Sequence, residues 1–357
     1  MIHTGCLRFD YIDCGTGIRG GNKMKTAQIG YGAWGQNLWR ALGSVKGVEM
    51  AVCCDPDPTA KEEVKNACPG TEVMESLDTV LRRTDIEAIV IATPAGLHYD
   101  QAKQCLEAGK HTFVEKPLAL SSDQARVLVE IAEKKNLVLM VGHTFLYNDA
   151  VRYVKNLMDK GDLGEIYYMY FQRLNLGSVR HDVNALWNLA PHDISIAQYW
   201  YGEKPDRIKA HGISCLQKGI DDASFINLYY PSGRFAHIHV SWLSPFKIRQ
   251  GVVIGSRKMV FYDDTSTDQK IVIYDKGIDR KDMTRDIGPF PFQNFAQFTF
   301  IKRAGDILIP KIAFREPLKL EMEHFAQCVK EGKKPLTDGR NGLEVVEILE
   351  AAQKSMQ

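Results

Sequence analysis

Thr26-Ala-Gln-Ile-Gly-Tyr-Gly-Ala-Trp-Gly-Gln-Asn-Leu-Trp-Arg-Ala-Leu42 decides the fold. A short apolar run enters three glycines, Gly30, Gly32 and Gly35, spaced G-x-G-x-x-G. The residues that follow have helical spacing, with Leu38, Trp39 and Leu42 on one side. The pattern predicts a strand, a tight turn and a helix. Gly30 permits the turn, Gly32 lets a pyrophosphate approach the backbone, and Gly35 lets the helix lie close to the strand. The helix start, at Ala33 and Trp34, then offers unpaired N–H groups and a partial positive charge to phosphates.

A glycine-rich turn binds nothing on its own account, so the next strand supplies the context. Val48 to Cys54 is nearly continuous in apolar residues, as a parallel strand buried on both faces must be. It ends in Asp55, about twenty residues after Gly35, where a carboxylate accepts the ribose hydroxyls of NAD and repels the 2′-phosphate of NADP. Asp55 also suits a helix cap, since Asp-Pro-Asp-Pro precedes a helical stretch from Thr59. Ile86 to Ile91 is a further buried strand. It delivers the loop Ala92-Thr-Pro-Ala-Gly-Leu-His98, which places Thr93, Pro94 and His98 as cofactor-lining candidates, with a plain helix start as the competing reading of His98. After a helix over Tyr99 to Ala108, the strand Thr112 to Val114 leads to Glu115-Lys116-Pro117. Pro117 keeps Lys116 extended, so its amine can serve the developing carbonyl oxygen of an oxidised alcohol; a surface ion pair is the alternative. An amphipathic helix over Ser121 to Lys135 and a strand over Leu137 to Val141 complete a doubly wound parallel sheet.

At 357 residues, with 45% hydrophobic and 25% charged residues, the composition is that of an ordinary two-domain globular protein. A net charge of +1 without Lys/Arg blocks gives no reason to expect nucleic acid or an anionic membrane as partner. Eight cysteines lack metal-ligand spacing and read as reduced thiols of a cytoplasmic protein, with no metal site. Residues 1–23 read as an extension without a signal peptide's apolar segment, residues 24–143 as the NAD-binding domain, and residues 144–357 as a substrate-binding and oligomerisation domain.

In that second part the period changes to two. Alternation over Ile166 to Leu176, Arg207 to Cys215, Phe225 to Tyr230, Phe235 to Leu243, Lys247 to Gly255 and Lys258 to Tyr262 predicts an open, mostly antiparallel sheet with one wet face, a surface suited to a dimer. Helices over Leu318 to Glu331 and Leu343 to Gln353 close the chain. The chemistry of this half centres on Trp187-Asn-Leu-Ala-Pro-His-Asp193. With Pro191 opening a helix, Asn188 lies just before its first turn and His192 shares one side with Ile196 and Tyr199. Histidine takes a hydroxyl proton near neutral pH, although a capped helix start accounts for the same residues.

Together, Gly30-x-Gly32-x-Trp34-Gly35, Asp55, Glu115-Lys116-Pro117, Gly142-His-Thr-Phe145 and Trp187 to Asp193 resemble the Gfo/Idh/MocA family of oxidoreductases. The glycine loop and the block from Arg173-Leu-Asn175 onward look like its nucleotide-sugar branch, which includes UDP-N-acetylglucosamine 3-dehydrogenases. The resemblance implies a Rossmann domain, dimers or tetramers, NAD, a sugar or nucleotide-sugar substrate, and catalysis by Lys116 and His192 assisted by Asn188. Arg173, Asn175 and Trp187 become substrate-contact candidates. Many members carry Asp where this chain has Asn188, and an amide neither accepts a proton nor raises a histidine pKa by charge. A free-sugar or inositol-type dehydrogenase and a non-enzymatic NAD-binding sensor are the rival functions; a sensor needs neither Lys116 nor His192. Asp55 predicts better kcat/KM with NAD than with NADP, and parallel assays with the two cofactors check it.

Overall fold

A computed structural model describes residues 23–177, 179–278 and 302–356. The extension assigned to residues 1–23 lies outside these apart from Lys23, as do Cys6 and Cys14. The chain divides into two compact units. One runs through Gly142 and takes in Leu318–Leu343; the other comprises His143–Pro317 and the residues from Glu344.

The first unit holds a six-stranded sheet of order β3-β2-β1-β4-β5-β6, parallel throughout. Its strands are β1 (Met24–Ile29), β2 (Val48–Cys54), β3 (Glu72–Met74), β4 (Ala88–Ile91), β5 (His111–Glu115) and β6 (Leu139–Gly142). Helices α1 (Ala33–Gly43), α2 (Pro58–Ala67), α3 (Leu77–Leu81), α4 (His98–Glu107) and α5 (Ser122–Lys134) connect them. β3 was not legible, because three half-exposed residues carry too little periodicity to separate from a link. Elsewhere the local signals hold. Leu38, Trp39 and Leu42 of α1 are buried, the side chain of Ser121 caps α5, and Asp57 rather than Asp55 caps α2. Cys53, Cys54, Cys105 and Cys328 are buried free thiols and Cys215 an exposed one. Cys68 departs from the expectation of reduced thiols, being disulfide-bonded.

The second unit holds α6 (Asp149–Asp159), α7 (Ala185–Tyr201) and, among the described residues, an eight-stranded sheet of order β14-β13-β12-β11-β7-β10-β9-β8. These strands are β7 (Ile166–Leu176), β8 (Arg207–Ile213), β9 (Ala223–Tyr229), β10 (Phe235–Ser241), β11 (Leu243–Gly255), β12 (Met259–Asp263), β13 (Ile271–Ile278) and β14 (Lys302–Leu308). Only β7 and β10 pair in parallel; every other ladder of the sheet is antiparallel. Alternation sends Ile226, Leu228, Ile238 and Val240 to a dry face on which α7 packs. Tyr168 and Tyr170 stay on the open face, 41% and 36% exposed.

α7 corrects the expectation for Pro191. The helix starts at Ala185, where the Asn184 side chain accepts the Trp187 N–H at 3.1 Å, so Pro191 lies inside it. A capping amide outweighs proline as a start signal, and Pro191 leaves the Trp187 carbonyl without its i+4 donor. Asn188 and His192 therefore share one helix, four residues apart on the same side.

α8 (Pro317–Glu331) and α9 (Gly339–Met356) follow. Both closing helices were assigned to the second half, but Leu318 to Leu343 belongs with the parallel sheet. Phe325 meets Phe113 of β5 edge-on at 5.7 Å, the Thr337 carbonyl accepts the Val141 N–H at 2.8 Å, and a Cβ at Gly342 would strike Val141. Phe325 is fully buried. Phe325→Ala is expected to cost about 3–5 kcal/mol of stability in the first unit, measured by denaturant unfolding.

Candidate active site

In the first unit the glycine loop is built as a cradle. Gly30 has φ +92°, which favours glycine. A Cβ at Gly35 would sit 2.5 Å from the Gly30 carbonyl oxygen, so the helix can approach the turn only without a side chain. Above Gly32 a Cβ would meet nothing within 4 Å. The start of α1 carries no side-chain cap and no acid in its first turn, and Gly32, Ala33 and Trp34 are exposed. Open space over Gly32 and uncapped donors in a first turn without an acid of its own fit a pyrophosphate. Sequence reasoning passed over Gln28, whose fully buried amide donates to the carbonyls of both Gly30 and Gly35 at 2.8 Å. Its only signal was a lone amide in an apolar strand.

Asp55 closes the cradle's side. Its carboxylate accepts the Tyr31 N–H at 2.7 Å and the Asp57 N–H at 2.9 Å. Since Asp57 caps α2, Asp55 keeps acceptor capacity for a ribose.

The Glu115-Lys116-Pro117 turn is held from two sides. Glu115, 7% exposed, accepts the Trp34 indole N–H at 2.6 Å and the Lys116 backbone N–H at 3.2 Å. Any Cβ at Gly142 would meet the Glu115 carboxylate at about 3 Å, so the neighbouring strand makes room for it. Burial raises the Glu115 pKa, against the opposing pull of the Trp34 hydrogen bond and the Lys116 charge. Lys116 is half-buried at the end of β5. His98 is buried, its Nδ1 2.7 Å from the Pro117 carbonyl and Nε2 2.9 Å from the Thr93 carbonyl. Burial lowers its pKa, and the Lys116 charge adds to that. Its ring bridges two loops rather than facing outward. The Thr93 hydroxyl donates to the Gln101 amide oxygen at 2.6 Å, and Pro94 is exposed.

In the second unit Asn188, His192 and Trp187 are half-buried on α7, and the His192 ring meets Phe145 edge-on at 5.0 Å. Arg173, a candidate substrate contact, lies inside instead. It is 5% exposed, and its Nε and one terminal nitrogen donate to both Asp193 oxygens at 2.9 and 2.8 Å. Burial works against its charge, but Asp193 outweighs it and holds the Arg173 pKa above the ordinary value. Asn175 remains half-buried at the end of β7. Asp193 was overlooked because its neighbour His192 drew the chemistry.

A Rossmann sheet with an intact phosphate cradle and an acid at the second strand's end defines an NAD-binding domain. Residues 24–143 match the family model described as "Oxidoreductase family, NAD-binding Rossmann fold", and residues 151–261 match the Gfo/Idh/MocA C-terminal domain. The chain belongs to the Gfo/Idh/MocA family of NAD-binding oxidoreductases. It is 27% identical over 350 residues to scyllo-inositol 2-dehydrogenase (NAD(+)) of Bacillus subtilis, covering 94% of this chain and 95% of that protein. It is also 27% identical over 242 residues to 2,7-anhydro-N-acetylneuraminate hydratase of Mediterraneibacter gnavus, where it spans 62% of this chain and 63% of the relative. UDP-N-acetylglucosamine 3-dehydrogenase GnnA from Acidithiobacillus ferrooxidans shares the fold, with TM-score 0.75 and 21% identity over 94% of this chain and 99% of that one.

The raised Glu115 pKa has a stability consequence. The folded state holds this proton more tightly than the unfolded chain, so the group's contribution is complete below its ordinary value near 4.5 and is lost as pH rises through the folded value. Denaturant unfolding from pH 4 to pH 8 should show Glu115→Gln removing part of that decline; identical pH slopes would assign it elsewhere.

Proposed function

We propose that the protein oxidises, or in reverse forms, a secondary ring hydroxyl of a sugar, with C3 of a UDP-linked N-acetyl sugar as the first choice. The observation that supports it best is the single helix α7, which sets Asn188 and His192 four residues apart on one side of a half-buried surface. Gly30, Gly32, Ala33, Trp34, Gly35 and Asp55 hold NAD, while Thr93, Pro94, Glu115 and Lys116 line its reactive end and His98 fixes their loops. Bound NAD supplies the acceptor for the hydrogen and electron pair that leave the carbinol carbon.

His192 takes the hydroxyl proton. Lys116 donates a hydrogen bond to the oxygen as it becomes a carbonyl, and Asn188 orients the ring through a neighbouring hydroxyl. The amide at 188 leaves proton acceptance to His192 alone. Asn175 and Trp187 contact the remainder of the substrate. A soluble cytoplasmic homodimer or homotetramer is the setting we propose; among the described residues no helix is long and apolar enough to cross a membrane.

A second reading is an inositol-type polyol dehydrogenase, favoured by the nearly end-to-end match to the B. subtilis enzyme. Thermal-shift measurements in the presence of NAD separate the two: stabilisation by UDP-N-acetylglucosamine and UDP supports the first, stabilisation by scyllo-inositol alone supports the second. His192→Ala should lower kcat about 10²–10⁴-fold with the NAD Kd retained. Lys116→Met should fall in the same range, and the double variant should lose less than the product of the two effects, as groups acting on one step do. Unchanged turnover in His192→Ala would remove the proposed base.

A further inference from the structure

Phe145 stands between two groups of opposite use. The Arg173 guanidinium lies over its ring, 4.4 Å from the centre, and the His192 imidazole meets the same ring edge-on at 5.0 Å. Arg173 in turn grips Asp193 through two parallel hydrogen bonds, with both side chains about 5% exposed. Asp193 follows His192 just after the turn of α7 that Pro191 has deprived of a backbone bond. A bidentate pair is directional, so it fixes the rotation of that turn against β7. Buried ion pairs add little net stability compared with apolar packing, and their best-attested use is to select one arrangement.

We propose that Arg173, Asp193 and Phe145 are positioning residues for His192, fixing its ring and keeping its surroundings electrically neutral. The inference rests on the reading of His192 as the base. Charged and titratable groups surround this turn on several elements. Asp193 lies on α7 itself and Arg173 on β7, with Tyr262 and Asp264 of the β12 end acting on Arg173. The turn before α6 contributes Tyr147, with Arg152 stacked on it at 5.1 Å. Farther along, Lys155 of α6 lies 5.9 Å from the Tyr199 ring centre. Within this set Arg173 and Asp193 form a buried ion pair, with Asp193 next to His192 in the chain, so removing one charge leaves the other uncompensated close to His192.

The test is a pH titration of the His192 imidazole by NMR in the full-length protein, with His192→Gln identifying its resonance. Arg173→Met should raise the His192 pKa by roughly half a unit to one unit, because the Asp193 carboxylate then favours imidazolium. Asp193→Asn should lower it by a similar amount, and Arg173→Lys, which restores the charge, should return it most of the way. Asp193→Asn keeps the shape of the site, and it decides the matter should Arg173→Met not fold. With NAD and UDP-N-acetylglucosamine or scyllo-inositol, whichever stabilises the protein, Phe145→Leu should lower kcat about 10- to 100-fold with KM little changed, and Phe145→Tyr should restore it. Unmoved titrations in folded Arg173→Met and Asp193→Asn overturn the proposal, as does a raised KM with intact kcat in Arg173→Met, which would return Arg173 to direct substrate contact. Full turnover in His192→Gln instead sinks the base assignment, a result distinct from either.

Discussion

The approach of Gly35 to the Gly30 carbonyl is the constraint on which the nucleotide half depends. A side chain at position 35 would have to occupy the space of a backbone oxygen 2.5 Å away, and no rotamer relieves a backbone clash. With the contact made, α1 begins directly above the turn, its uncapped N–H groups face open space over Gly32, and the buried amide of Gln28 locks both carbonyls. Asp55 reaches the same loop from the next strand through the Tyr31 N–H. The cradle is thus held by contacts internal to the protein.

A second principle recurs at the chemical groups: a buried polar side chain, spent on holding, stands beside a less buried one proposed to act. Glu115 fastens Trp34 and the Lys116 backbone, leaving the Lys116 side chain at the strand end. His98 ties the Thr93 and Pro117 carbonyls. Arg173 and Asp193 secure the turn that carries His192. Each holding group is costly to bury alone and inexpensive once satisfied.

This division explains what the amino-acid sequence made legible. The parallel sheet could be read, β3 apart, because its strands are short, mostly apolar runs, and the second sheet because alternation over β8, β9, β10 and β12 is regular. The Gfo/Idh/MocA assignment rested on local spacings that the family models also match. Long-range pairings were hidden. Nothing local says that Arg173 will meet Asp193, that Trp34 will reach Glu115, or that the segment from Leu318 will return to the first sheet, since each contact joins residues remote in the chain. Pro191 misled for a related reason: as a start signal it is strong in isolation, and only the Asn184 cap upstream reveals the true beginning of α7.

Asp55 carries an implication for altering cofactor use. Because one of its oxygens anchors the Tyr31 N–H and the other the Asp57 N–H, the residue proposed to repel an additional phosphate is also a structural strut of the loop beneath it. Redesign toward NADP by a small or basic residue at 55 would therefore unfasten the turn while removing the repulsion. Asparagine, which keeps an acceptor and sheds the charge, is the gentler point of departure.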